Sequence, residues 1–250
     1  MGKKVIRRNT AAAISLEEHR QTQELTGLGT TWDPVAADEQ RDRRYVRHVR
    51  PQSDNQRRLM EAIDGATLTL ALGPAGTGKT YLAIAKAVES LESGQVGRIV
   101  LARPAIEAGE SLGFLPGSMI EKLDPYLRPL FDALGERIGG KRLKAMMAEG
   151  VIEIAPLAYM RGRTLNNAFI VIDEAQNCTY AQLKMLLTRI GWASTMVITG
   201  DPDQTDLLPG ISGLSEIATR LSVLDDVAIV TLGNEDVVRH ALVAQMLEVL

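Results

Sequence analysis

At 250 residues the chain is long enough to bury a sizeable core, and 45% apolar with 24% charged residues match the averages of globular proteins. A formal charge of −3 and 4% aromatic residues argue against wholesale nucleic-acid wrapping and against a broad base-stacking platform. The single cysteine, Cys178, excludes an internal disulfide, and no apolar run reaches the ~18–20 residues of a membrane span, so a cytoplasmic setting without a membrane partner is expected.

Residues 1–50 hold ten Lys/Arg against seven Asp/Glu and show no sustained period, which predicts a basic, flexible arm. The arm lacks the apolar stretch of a secretory signal. Its last piece, RDRRYVRHVRP, carries five arginines that suit either a phosphate backbone or a solvated linker. Residues 51–250 read as one α/β domain. Apolar, β-rich runs at residues 67–72, 98–102, 151–155, 169–172, 196–199 and 227–232 have the continuous character of strands covered on both faces. Between them, Ile84, Val88 and Leu91 repeat at helical spacing, and Glu92-Ser93-Gly94 closes that helix. A last helix is expected from Asn234 as N-cap, with Val238, Leu242, Met246 and Val249 as its apolar stripe. The alternation predicts a mostly parallel sheet flanked by helices.

The first strand runs into Gly73-Pro74-Ala75-Gly76-Thr77-Gly78-Lys79-Thr80, which fits the spacing G-x-x-x-x-G-K-[ST]. Its glycines permit backbone conformations that turn successive N–H groups around an anion, and the following helix adds the positive end of its dipole. Lys79 can reach the β- and γ-phosphates, the Thr80 hydroxyl can hold Mg²⁺, and Tyr81 follows within reach. A bound nucleoside triphosphate is the expected occupant.

Four apolar residues then end in Asp173-Glu174, which places two carboxylates at the mouth of a buried strand. Asp173 suits Mg²⁺ and Glu174 suits polarising an attacking water. The second acid favours hydrolysis over transfer to a bound small molecule. A later strand ends in Gly200-Asp201-Pro202-Asp203-Gln204, where Gln204 can sense the γ-phosphate or simply sit in an Asp-Pro turn.

With these motifs in order, the chain resembles the PhoH-like family of P-loop ATPases, whose core is similar to the first motor domain of superfamily-1 helicases. The resemblance runs from about residue 51 to the end. It is carried by ARPAIEAGESLGFLPGSMIEKLDPYLRPLFDAL (102–134), IEIAPLAYMRGRTLNNAFIVIDEAQN (152–177), LTRIG (187–191), TGDPDQTDL (199–207), SGL (212–214) and DVVRHALV (236–243). It implies a RecA-like three-layer α/β/α fold, Asp173 and Glu174 in the magnesium-and-water motif, and Gln204 as sensor. It further implies Gln56 as the adenine reader, unless Gln56 is a surface residue of a short helix. Arg103, Arg161 and Arg163 fall where related motors touch phosphates or nucleic acid, or else form structural salt bridges.

Hydrolysis in this class is usually accelerated by a cation from outside the nucleotide domain, by roughly 10³–10⁵. Arg239 in DVVRH is the expected donor, reaching a neighbouring subunit's site, unless it lies on the outer face of the last helix. The resemblance also implies a ring-like homo-oligomer, a hexamer being the expected form, and action on single-stranded RNA or another nucleic acid. The alternative is a slow, nucleotide-switched assembly module without helicase activity. No segment of the guanine-reading or ABC-signature kind is visible, and the N-terminal residues lack the acidic cluster of a nuclease. Cys178 reads as a small buried residue, and His19, His48 and His240 are too scattered for a metal site.

Overall fold

The computed structural model describes residues 49–104, 119–208 and 210–238, excepting the side chains of 119–125. Residues 1–48 of the basic arm, the Gly-rich loop at 109–117, and Arg239 with the residues after it lie outside them. Helix α1, Asp54–Gly65, starts where the Ser53 hydroxyl accepts the Gln56 N–H, and it buries Gln56, Leu59 and Ile63. Strand β1, Leu68–Leu72, leads through the glycine-rich loop into helix α2, Lys79–Glu92. Then come β2, Arg98–Arg103, α3, Met119–Ile138, α4, Gly140–Ala148, and β3, Ile152–Pro156. The chain continues through β4, Ala168–Ile172, α5, Tyr180–Leu187, β5, Thr195–Gly200, α6, Leu214–Leu221, and β6, Val227–Thr231.

All six expected strands are present, each end within one residue of the run that announced it. They form one parallel sheet in the order β3-β2-β4-β5-β1-β6. Alternate residues face opposite layers. Ile99, Leu101, Phe169, Val171 and Val197 pack with Leu59, Ile84, Val88, Leu130 and Leu134 of α1–α3. Leu70, Val100, Ile170, Ile172 and Ile198 pack with Leu183, Leu186, Leu214 and Ile217 of α5 and α6. Each such side chain contributes roughly 1.5–3 kcal/mol, which is why the central strands read as unbroken apolar runs. The result is the expected three-layer arrangement. Its strand order puts β5 between β1 and β4, so the ends of all three meet at one edge of the sheet. That carboxyl edge is where open α/β sheets bind ligands.

One expected element differs. Residues Asn234–Asp236 form a single 3₁₀ turn whose N-cap is Gly233, not a helix capped by Asn234, and Val237 is extended. The Asp236 carboxylate accepts the Gly233 N–H at 2.7 Å and the Asn55 side-chain amide of α1 at 2.9 Å. Those inward bonds tighten the turn and tie it to α1. Val238 is exposed, and the rest of its expected stripe lies outside the described residues.

The SGL segment has a packing role. The Gly213 N–H donates to Cys178 O, and a Cβ there would lie 2.3 Å from Tyr180 N at the start of α5. Gly213→Ala is therefore expected to destabilise the fold by about 1–3 kcal/mol. A thermal melt checks this, each kcal/mol shifting the midpoint by about 2–4 °C at this size.

Candidate nucleotide-binding site

The loop after β1 is held from both sides. Gly73, Gly76 and Gly78 all take positive φ, and a Cβ on Gly73 would meet Leu232 O at 2.2 Å. Below the loop, Gln56 Nε2 donates to Thr77 O at 3.0 Å, while Gln56 Oε1 accepts the Gln52 N–H at 2.7 Å. Gln56 is only 4% exposed, so it braces the loop and is not a surface residue of the helix. Above the loop, Leu232 N donates to Leu72 O and Val238 N to Gly76 O, at 2.8 and 3.0 Å. Burial pushes the Asp236 carboxyl up, but hydrogen bonds from Ser53, Asn55 and the Gly233 N–H outweigh it and hold the group below the usual carboxylate range.

A cleft opens over the loop, lined by Ala75, Gly76, Gly78, Lys79, Thr80 and Tyr81 and, from β4 and β5, by Asp173, Glu174, Thr199, Asp201 and Gln204. Lys79 is buried, and its Nζ donates to Gly73 O at 2.5 Å and Pro74 O at 2.7 Å. Burial lowers its pKa, against the pull of Asp201, Glu174 and Asp173. An ammonium so desolvated, resting on neutral carbonyls, gains when an anion enters the loop.

Asp173 directly follows β4 and is almost fully buried. Its Oδ1 accepts from Thr80 Oγ1 at 2.6 Å and from Thr199 Oγ1 at 2.7 Å. These hard oxygens fit Mg²⁺, which is usually held by one or two protein oxygens together with phosphate and water. Among the described residues no cluster of three or more His, Cys, Asp or Glu forms a self-sufficient metal cage. A cation carried in with the nucleotide's phosphates suits such a site.

Glu174 follows with its backbone in the left-handed region, φ 55° and ψ 41°. Non-glycine residues take that conformation at a cost and mostly where surrounding structure compels it. Here the compulsion is visible: Gln176 Nε2 donates to Glu174 Oε2, and Gln176 Oε1 accepts the Asp201 N–H after β5. Next to it, Asn177 Nδ2 donates to Asp206 Oδ2, Asn177 Oδ1 accepts the Asp206 N–H, and Thr205 Oγ1 donates to Gln176 O. The acidic motif and the turn carrying Gln204 are therefore laced together. Sequence reasoning assigned nothing to Gln176, Asn177, Thr199 or Asp201. Their only signal was residence inside the two motifs.

A family profile described as PhoH-like protein matches residues 48–250. The chain belongs to the PhoH-like family. Among its relatives is the PhoH-like protein of Mycobacterium tuberculosis, 56% identical over 201 residues, covering 80% of this chain and 57% of that protein. Protein PhoH of Escherichia coli is 41% identical over 243 residues, 96% of this chain and 68% of that one. The chain thus spans little more than half the length of its mycobacterial relatives. Among solved structures, the large terminase of a thermophilic bacteriophage superposes with a TM-score of 0.51 at 12% identity, over 80% of this chain and 50% of that one. That likeness is one of fold.

The three arginines of the PhoH-like motifs have three different surroundings. Arg163 forms a two-point pair with Glu153, at 2.5 and 2.6 Å, and that bond holds the Glu153 carboxyl below its usual range. Its contacts are those of the structural alternative. Arg189 of LTRIG completes this corner by donating to Arg163 O and Met185 O. Arg161 is exposed and has no side-chain partner among the described residues. Arg103 faces Asp173 and Glu174, two of the acids that line the cleft. Cys178 is fully buried, and burial pushes its thiol up to about 12, consistent with an inert packing residue. No described helix is long and apolar enough to cross a membrane.

Proposed function

We propose that this PhoH-like chain binds ATP with Mg²⁺ and hydrolyses it, in the cytoplasm, in a ring-like homo-oligomer that acts on single-stranded RNA or a related nucleic acid. Residues 51–250 form the ATPase body in this reading, and the basic arm at 1–50 supplies a phosphate-binding tether. The observation that carries it is the placement of Glu174. Its carboxylate lines the cleft over the phosphate loop, beside Asp173, with one oxygen oriented by Gln176.

In the reaction the loop N–H groups and Lys79 grip the β- and γ-phosphates, Lys79 exchanging its two loop carbonyls for phosphate oxygens. Thr80 and Asp173 would hold the Mg²⁺, which neutralises charge developing on the phosphates. Glu174 accepts a proton as a water oxygen bonds to the γ-phosphorus and the bond to the β-phosphate oxygen breaks, giving ADP and phosphate. Gln204, exposed at the cleft's rim, is suited to sense the γ-phosphate. Changes there pass to Glu174 through Asp201 and Gln176. Base reading by Gln56 would require its amide to leave Thr77 O or Gln52 N.

Arg239 remains the proposed accelerating cation. Supply within one chain is a second reading favoured by a specific contact: Val238, its neighbour, is hydrogen-bonded to Gly76 of the same phosphate loop. The test is ATP turnover at several protein concentrations, with and without single-stranded RNA. Turnover is expected to require Mg²⁺, to rise several-fold with RNA and to depend on assembly. Indifference to RNA would instead support the slow switch module. Mixing Arg239→Ala with Lys79→Ala subunits restores turnover if the arginine acts between subunits and leaves both silent if it acts within one.

A further inference from the structure

The register of two strands brings Arg103 to the acidic pair. Ala102 of β2 lies beside Ile172 of β4, and the Asp173 N–H donates to Ala102 O at 2.9 Å, so Arg103 and Asp173 emerge side by side at the sheet's edge. The guanidinium stands 3.7 Å from Asp173 Oδ2 and 3.3 Å from Glu174 Oε1. The other oxygen of each carboxylate is already engaged, Asp173 Oδ1 by two threonine hydroxyls and Glu174 Oε2 by Gln176. Arg103 therefore covers the two oxygens left over, one for the cation and one for the water.

We propose that Arg103 is a stand-in cation, a positioning residue that offsets the charge of the acidic pair in the nucleotide-free site and gives way to Mg²⁺ when nucleotide arrives. The inference rests on the ATPase reading for its occupant but not for its measurement. Without Arg103, Asp173, Glu174 and Asp201 would face a single ammonium, Lys79, and like charges so close repel strongly. With it, the pairing is loose. Arg163 grips Glu153 at 2.5 and 2.6 Å, with the closeness of a strong charge-assisted pair, whereas both Arg103 contacts are longer than such a pair allows. A loosely held, partly exposed guanidinium can be exchanged; a locked one cannot. The same exchange frees Glu174 Oε1 for the water.

Thermal unfolding without nucleotide, across a Mg²⁺ titration, tests this. Arg103→Ala and the bulkier Arg103→Gln are expected to melt earlier than wild type and to be restored by Mg²⁺ alone, with a midpoint at least about tenfold lower than any wild-type response. Arg103→Lys, which keeps the charge, should behave as wild type. Arg163→Ala is the control: it loses a structural pair, and Mg²⁺ should not rescue it. The proposal is overturned if Mg²⁺ acts on Arg103→Ala and Arg103→Gln no more than on wild type, or if Arg103→Lys responds like Arg103→Ala. Failure of wild type to bind nucleotide would refute the ATPase reading without touching this readout.

Discussion

Replacing Glu174 by glutamine is expected to slow ATP turnover by about 10²- to 10⁴-fold, the usual contribution of a positioned general base, while nucleotide binding stays within a few-fold of wild type. The substitution is nearly isosteric. A glutamine carbonyl still accepts the Gln176 amide, so the left-handed backbone at 174 and the lacing to Asp201 should survive. What disappears is the negative charge able to take a proton. Phosphate release measured beside binding of a fluorescent ATP analogue separates the two effects. Turnover close to wild type would remove Glu174 from the chemistry and return the site to binding alone. A folded variant unable to bind would instead mean that the carboxylate's charge organises the cleft, through Arg103 or Lys79.

The second large effect is expected at Lys79. Wild type at about 100 times its dissociation constant of ATP should gain about 2.7 kcal/mol of stability, or roughly 5–10 °C in midpoint for a domain of this size. Lys79→Ala should show almost none of that gain and background turnover, because the loop loses the cation aimed at the β- and γ-phosphates. The nucleotide-free variant should melt close to wild type, because relief of the buried ammonium offsets the repulsion among Asp173, Glu174 and Asp201, which then face Arg103 alone. Burial holds the Lys79 pKa below its ordinary value of 10.5, so its charged form is disfavoured by folding. The sign follows from linkage. Between the folded value and 10.5 the unfolded chain binds more protons, so this group makes stability rise with pH there; below that window its full cost applies. Removing the ammonium removes the cost. Loss of apo stability on truncation would show that its bonds to Gly73 O and Pro74 O matter more than its burial.

Much of this architecture was legible in the residues. The six apolar runs became strands because each is short and β-rich; the four central strands are buried on both faces, whereas the edge strands β3 and β6 are only partly covered. The phosphate loop was legible because positive φ at Gly73, Gly76 and Gly78 is a local demand that glycine meets at little cost. Asp173 and Glu174 announced themselves as charges at the end of an otherwise apolar strand. The expectation at Asn234 failed for an equally physical reason. A good cap and two acids are local signals for an α-helix, but Asn55, some 180 positions earlier, captures Asp236 and tightens the turn.

The amino-acid sequence by itself determined the elements, the loop that can surround a polyphosphate and the acids placed to act on it, since each depends on neighbours within one strand, turn or helix. Only the tertiary structure decided which side chains cooperate. Gln176 reaches Asp201 because β5 lies against β4, and Thr199 joins Thr80 on Asp173 because β5 also lies against β1. Arg103 meets the acids because β2 borders β4, and Gln56 sits under Thr77 because α1 packs beneath the loop. Strand order is settled by the packing of two apolar faces at once, so no local spacing along the chain could have revealed those partnerships.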